Sequence, residues 1–245
     1  MGEELSQKVC WITGAGRGIG AATVKRFIER DAFVIASSLS DFSKYIERGV
    51  YSDKFYLIEN FKYLKCDISN KDDVFETYQK IIADFGKVDI LINNAGIGLF
   101  KSFRDTSVED FDKIINTNFR GTFLTTKAVI KDMIERKSGI IVNISSMGVV
   151  QNFANCSVYN ATKSAMLSLS RSLRNEIRNE GIKILDFIPG PTFTDIWDEP
   201  SKEMYKSRMM QPEDIATIIA DSVAISIKGR LMVEEIIIRP QLGDI

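Results

Sequence analysis

Histidine is absent from this 245-residue chain. Its absence removes the side chain most used to carry protons near neutral pH, and with it most transition-metal ligand sets. Cysteine is scarce: Cys10, Cys66 and Cys156 lie far apart with no C-x-x-C spacing. An odd, dispersed set argues against a disulfide framework and against a zinc site, so no metal is expected. Proline occurs only five times, and no Pro/Gly-rich linker, repeat or low-complexity tract divides the chain. A single domain over 1–245 is the expectation. No apolar run reaches membrane-spanning length. The start "MGEELSQKVCWITGAG" has no apolar signal core. Neither sign of charge dominates, with 32 Lys+Arg against 33 Asp+Glu. That balance gives no case for nucleic acid or an anionic membrane as partner. The expectation is a soluble, cytoplasmic protein.

What is present is an alternation of apolar strand-like runs with amphipathic stretches. The runs are "KVCWITGAG", "AFVIASS", "FKYLKCDIS", "KVDILINNAG", "GIIVNISS", "IKILDFIPG" and "LMVEEIIIRP". Between them, Ile19, Val24, Phe27 and Ile28 recur at helical spacing over Gly18 to Arg30. Ser69 or Asn70 can cap a third-strand helix with Asp72 and Asp73 in its first turn. Ser107 and Asp110 resemble a capping box that opens a long helix toward Arg136. A further helix is predicted from about Val158 to Asn179, ended by Gly181, and another after Pro212. Strands apolar on both faces and separated by helices predict a mostly parallel sheet covered on both sides. The stretch from Leu39 to Asn60 gives no readable pattern.

"TGAGRGIG", Thr13 to Gly20, follows the first strand and opens the first helix. Gly14, Gly16, Gly18 and Gly20 let backbone approach a pyrophosphate, and the helix N-terminus offers free N–H groups. In that context the turn predicts a Rossmann-type doubly wound fold with a dinucleotide, although a glycine-rich turn can also be a plain strand-to-helix connection. An NAD site typically places an acid at the end of the second strand. Here Ser37 and Ser38 stand there, Asp41 comes three residues late, and Arg17 lies inside the glycine turn. A charge-assisted bond to a 2′-phosphate contributes about 1.5–3 kcal/mol. NADP(H) is therefore favoured, unless Arg17 is only a solvated surface side chain.

"SVYNATK" places Tyr159 four residues before Lys163, on one face of a helix. A phenol titrates near 10, and lowering it by about three units needs roughly 4 kcal/mol. A partly desolvated lysine beside it, helped by an oxidised nicotinamide, could supply that. Alone, Y-x-x-x-K is equally a surface pair. Its company is more specific. "TGAGRGIG", "NNAG" (Asn93 to Gly96), "NTNFRG", "NISS" and "PGPTFT" occur in that order, and Ser146 lies thirteen residues before Tyr159. Together they resemble the short-chain dehydrogenase/reductase family from Lys8 to the C-terminus.

That resemblance implies an NADPH-dependent oxidoreductase that reduces a carbonyl to an alcohol. It implies that Tyr159 acts as general acid and that Ser146 holds the substrate oxygen, with Ser145 as a rival expected to point the other way. It implies that Lys163 binds the nicotinamide ribose and lowers the tyrosine pKa, and that Asn118 holds a water linking Lys163 to solvent. Gly14, Gly16, Arg17, Gly18, Ile19, Gly20, Ser37 and Ser38 would bind cofactor, with Asp67 and Ile68 flanking adenine. Asn94, Ala95, Gly96, Pro189, Gly190, Thr192 and Thr194 would line the rest of its cleft.

Residues Phe193 to Ala216 look like a lid, with Trp197, Met204, Tyr205, Met209 and Met210 available to close over substrate or simply to pack. Gly98 to Phe100 and Val149 to Phe153 would line the opposite wall. "FTDIW…EM…MMQPEDIA" and "VEEIIIRPQLGDI" resemble bacterial sepiapterin reductase-type members, which reduce pterin side-chain carbonyls. Trp197, Phe100 and Phe153 are then substrate candidates. A 3-oxoacyl thioester reductase is the alternative enzyme, and a non-catalytic dinucleotide sensor the alternative of another class. The resemblance also implies a homodimer or homotetramer, formed through the helices that contain Asn118 and Tyr159.

Overall fold

The first strand explains the layering. Over β1 (Val9–Thr13), Cys10 and Ile12 join one apolar cluster while Val9 and Trp11 join another. Successive strand side chains point to opposite faces, so a strand apolar at every position needs cover on both. The same split occurs in β4 (Ile90–Asn93), where Ile90 and Ile92 face away from Leu91. Residues 4–244 are described in this structure, a computed structural model. The first three residues and Ile245 of the expected 1–245 unit lie outside them.

Seven strands form one sheet in the order β3-β2-β1-β4-β5-β6-β7, every pair parallel. The others are β2 (Phe33–Ser38), β3 (Phe61–Lys65), β5 (Gly139–Ile144), β6 (Ile182–Pro189) and β7 (Glu235–Ile238). Strand order reverses between β1 and β4, which opens a crevice at the carboxyl ends of the strands. On one face pack α1 (Gly18–Ile28), α2 (Phe42–Glu47) and α8 (Pro212–Lys228), through Val24, Phe27, Phe42, Tyr45, Ile215 and Ile219. On the other pack α3 (Lys71–Phe85), α5 (Gly121–Arg136) and α6 (Ser157–Glu176), through Val74, Ile81, Leu124, Met133 and Leu173. The two short remaining helices are α4 (Val108–Ile114) and α7 (Glu199–Tyr205).

Most caps follow the sequence. Asn70 accepts from the Asp72 and Asp73 N–H groups, and Ser107 with Asp110 closes a capping box. Gly181 takes φ +76 as expected of a cap, but it closes a 3-10 turn, Arg178–Glu180, because α6 itself ends at Glu176 and not near Asn179. The long helix expected from Ser107 to Arg136 is corrected: a π-helical turn, Ile115–Arg120, divides α4 from α5. Gly121, directly after that turn, packs closely on Ile68: a Cβ there would stand 2.6 Å from Ile68 Cδ1. The unread stretch from Leu39 to Asn60 holds α2, a 3-10 turn at Asp53–Leu57, and an aromatic cluster. Phe42 lies 4.9 Å from the Tyr63 ring and 5.3 Å from Tyr51, and Tyr51 lies 4.8 Å from Phe55. That stretch is neither 3.6- nor 2-periodic, so its packing does not show as a pattern.

A buried polar chain crosses the sheet. Asn93 of β4 donates to Asn143 Oδ1 of β5 at 2.9 Å, and accepts from Thr125 of α5 at 2.6 Å. Asn143 donates to Ser170 of α6 at 2.8 Å, and Ser170 donates to Asp186 of β6 at 2.8 Å. Arg174 of α6 closes the chain on Asp186 at 2.7 Å, with side chains 4% and 0% exposed. Burial pushes the Asp186 carboxyl up to about 6, against the pull of Ser170, Arg174 and Asn143. The folded chain thus holds more protons than the unfolded between 3.8 and about 6, so this group makes stability fall as pH rises through that window. The pair fixes geometry more than it adds net stability. Arg174→Met strands the buried carboxylate and is expected to cost about 3–5 kcal/mol in urea unfolding at pH 7. An unchanged midpoint would refute that account.

Candidate active site

The glycine turn is shaped by its neighbours. Thr13 Oγ1 accepts from the N–H groups of Asn94 and Ala95, both at 3.1 Å, and the Asn94 amide donates to the carbonyls of Thr13 and Gly14 at 3.0 and 3.1 Å. The segment after β4 therefore braces the turn after β1. Gly14 has φ +64, and a Cβ there would stand 2.5 Å from Ala95 Cα. A Cβ on Gly16 would enter the Tyr45 ring.

One cavity of about 880 Å³ runs from this turn across the carboxyl ends of the strands. It brings together Gly14, Gly16, Arg17, Gly18, Ile19, Ser38, Asp67, Ile68, Asn94, Ala95 and Gly96 with Ser146, Tyr159, Lys163, Pro189, Gly190, Thr192 and Thr194. Phe100, Phe153 and Trp197 line it as well.

Two cofactor candidates are corrected. Ser37 is fully buried and accepts from Trp11 Nε1 at 2.9 Å, a core bond away from the cavity. Gly20 does not line the cavity: a Cβ there would meet the Gly14 carbonyl and the Asn94 amide, so this glycine lets α1 approach the turn. Both corrections follow from partners distant in sequence.

At the other end, Tyr159 and Lys163 lie on α6 as its spacing requires. Lys163 is buried and donates to the Ile144 carbonyl at 2.7 Å. Its Nζ lies 5.9 Å from the Tyr159 ring centre. Burial pushes the ammonium down to about 8. Burial also raises the Tyr159 phenol; the Ser146 hydroxyl opposes that rise and Cys156 adds to it. In the protein alone, no lowering by Lys163 is among the causes that act on the phenol. The ammonium is aimed at a backbone carbonyl, and desolvation dominates both groups. A raised phenol holds its proton, which suits an acid and not a resting base.

Ser146 Oγ accepts from Gly148 N at 3.3 Å in a 3-10 turn, Met147–Val149. Ser145 is held by its N–H on the Phe187 carbonyl at 2.7 Å, and its buried hydroxyl has no partner among the described residues. Asn118, on the π-helical turn, stands behind the cavity lining. Its side chain is 1% exposed and does not line the cavity. Its Oδ1 accepts from Ile97 N at 2.8 Å, and its amide donates to the Ile97 carbonyl and to Thr162 at 2.9 and 3.2 Å. Both amide protons tie the post-β4 segment to α6, and Asn118 Oδ1 and Lys163 Nζ both flank Gly96.

The far wall is aromatic. Trp197 stacks on Phe100 with centroids 5.5 Å apart and planes at 11°, and Phe100 lies 6.0 Å from the Tyr159 ring. Trp197 Nε1 donates to the Thr192 carbonyl at 3.1 Å. The other lid candidates do not line the cavity: Met204 is 71% exposed, Met209 is buried, and Met210 pairs with Thr192 in a short bridge. Of Val149 to Phe153, only Phe153 reaches it. Sequence reading missed Ser40, Tyr45 and Arg48, which line the glycine-turn end from the unread stretch, and Asn155, Cys156 and Asn160 beside Tyr159.

The family model for short chain dehydrogenase matches residues 8–204. The chain belongs to this family. This short-chain dehydrogenase is 34% identical to a sepiapterin reductase of Chlorobaculum tepidum, over 96% of each chain. Among solved structures it resembles a metagenomic short-chain oxidoreductase in complex with NADP (TM-score 0.81, 26% identity, 98% and 100% of the two chains). It also resembles serine dehydrogenase from Escherichia coli (TM-score 0.82, 26% identity, 97% and 100%). As a short-chain dehydrogenase it is an oxidoreductase whose glycine turn and Tyr-Lys helix share one cavity.

Gly14→Ala tests the turn. Left-handed backbone alone costs about 1–2 kcal/mol for a residue with a Cβ, and the overlap with Ala95 adds to it. A chemical-unfolding midpoint equal to that of the parent would contradict the turn's geometry.

Proposed function

We propose that this short-chain dehydrogenase uses NADPH to reduce a small-molecule carbonyl to an alcohol, with residues 1–245 acting as one domain. One observation carries the reading: a buried, proton-retaining phenol and a buried ammonium open into the cavity that begins at the glycine turn. The residues fit a dinucleotide. Gly14, Gly16 and Gly18 line the cavity, and the α1 N-terminus opens beside them with no side-chain cap on its N–H groups. The solved relative with NADP bound supports the choice of cofactor.

When bound, NADPH supplies the hydride. The protein supplies the rest. The Ser146 hydroxyl donates to the substrate oxygen and fixes its position. Tyr159 gives its phenolic proton to that oxygen as negative charge develops there. Lys163 holds the cofactor ribose and keeps positive charge near the phenol once its proton has left. Asn118 keeps Ile97 and Thr162 in register, so that the post-β4 segment and α6 face each other.

A pterin side-chain carbonyl is the substrate this reading favours. The 34% identical sepiapterin reductase supports it, as does the flat Phe100–Trp197 pair beside Tyr159, a surface suited to a planar heterocycle. A 3-oxoacyl thioester on an acidic carrier would want free basic residues by the lid, yet Lys202 is held by Asp195 and Glu199. A sensor without catalysis would have no need of Ser146, Tyr159 and Lys163 together. The reading also expects a cytoplasmic homodimer or homotetramer.

The decisive assay follows NADPH absorbance with sepiapterin, an acetoacetyl thioester and simple diketones, and repeats each with NADH. Turnover of sepiapterin with NADPH is expected; consumption of the thioester alone sinks the pterin choice. Tyr159→Phe is expected to bind NADPH as the parent does while reduction falls below detection. Undiminished turnover rejects the assigned acid. Because Lys163 loses its proton near 8 while Tyr159 keeps its own, kcat/KM for reduction should decline as pH rises through about 8. Lys163→Arg stays charged in that range, and its profile should lack that limb; an identical limb would assign the titration elsewhere.

A further inference from the structure

Two polar atoms in the cavity wall are buried without a hydrogen-bond partner among the described residues: Ser145 Oγ and Asn160 Oδ1. Folded proteins leave few such groups, and each calls for a physical account. Ser145 is tied by its backbone to β6 at the end of β5. Asn160 stands on α6 directly after Tyr159, one residue from the phenol that carries the proton.

The Asn160 side chain is enclosed, with the residue 5% exposed. Its Oδ1 lies against Gly148, two residues after Ser146, and a Cβ on that glycine would collide with it. The bonds around the carboxamide go elsewhere. The Gly148 N–H donates to Ser146 Oγ at 3.3 Å, Thr162 donates to the Tyr159 carbonyl at 2.7 Å, and Lys163 donates to the Ile144 carbonyl at 2.7 Å. Nothing among these fixes the carboxamide, so rotation about its last bond can bring either end to the cavity. Other polar groups nearby are satisfied. Asn155 is exposed to water, and Asp198 accepts from the Ser201 N–H and hydroxyl at 2.9 and 3.0 Å.

Its position says which part of a ligand it would meet. Tyr159 and Ser146 converge on the substrate oxygen. Asn160 follows the first in sequence and packs against the turn that follows the second, so its carboxamide lies beside that oxygen and not on it. One turn earlier, Cys156 accepts the Asn160 N–H at 2.8 Å and lines the same part of the cavity. The glycine turn is at the opposite end. A group that reaches Asn160 therefore belongs to the substrate.

We propose that Asn160 is a specificity-determining residue that hydrogen-bonds a hydroxyl on the carbon next to the reducible carbonyl. The substrate class is then the α-hydroxyketones. A carboxamide offers an acceptor oxygen and a donor nitrogen, and a hydroxyl pairs with either. A plain ketone leaves the carboxamide unsatisfied, and a site built to bond a hydroxyl rejects the analogue that lacks it. The inference rests on the carbonyl-reductase reading and narrows it. The side chain of sepiapterin, a ketone with a hydroxyl on the adjoining carbon, is of this class.

The test compares substrates that differ by that hydroxyl alone, acetoin with butanone and sepiapterin with deoxysepiapterin, in NADPH-dependent reduction by the intact protein. The ratio of kcat/KM values is read on whichever pair the parent reduces. The parent should favour the hydroxyketone by about tenfold or more. Asn160→Leu keeps the shape without polar atoms, and Asn160→Ala removes the amide without refilling its place. In both, most of that preference should vanish, chiefly through a higher KM for the hydroxyketone. An unchanged ratio in a variant that still turns over makes Asn160 a structural residue only and overturns the proposal. So does a parent without preference, a result that stands even where neither variant folds. A parent that reduces no carbonyl, sepiapterin included, overturns the carbonyl-reductase reading itself.

Discussion

The polar chain through Asn93, Asn143, Ser170, Asp186 and Arg174 is the constraint on which the catalytic geometry depends. It links three adjacent strands to α5 and α6 within a single buried layer. Apolar packing alone fixes how far a helix stands from a sheet, but it tolerates rotation about the helix axis and sliding along it. Directional bonds do not. Ser170 and Arg174 share the helix with Tyr159 and Lys163, so a register fixed at one end of α6 is transmitted along a rigid rod to the other. The cost is a buried carboxylate whose desolvation outweighs the help of its partners.

Desolvation also governs the catalytic end, with opposite effects on its two groups. Burial disfavours the phenolate of Tyr159 and the ammonium of Lys163 alike. One therefore keeps its proton above the ordinary range, and the other gives it up below the ordinary range. A chain without histidine thus brings a lysine toward neutral pH by removing water from around it.

Periodic elements were legible because their physics is local. Strand alternation, the Asn70 cap, the Ser107–Asp110 box and Gly181 all depend on neighbours within a few residues. The Tyr159–Lys163 face and the Ser146 position followed from spacing and from family resemblance. What failed was long-range. Ser37 belongs to Trp11, and Gly20 to Asn94. Gly121, after the π-helical turn, packs on Ile68, more than fifty positions earlier. No window of sequence contains those partners.

The unread stretch from Leu39 to Asn60 shows the same rule with a functional consequence. Its aromatic side chains do not form one helical stripe, because they pack on one another and on β3 as well as on the sheet. A cluster of this kind leaves no periodic trace, yet it fixes backbone as firmly as a regular element. Through Tyr51 and Tyr63 it reaches the carbonyls of Ala15 and Ser40, on either side of the cavity mouth. Tyr51 from this stretch and Tyr63 from β3 thus brace the glycine turn and the segment after β2.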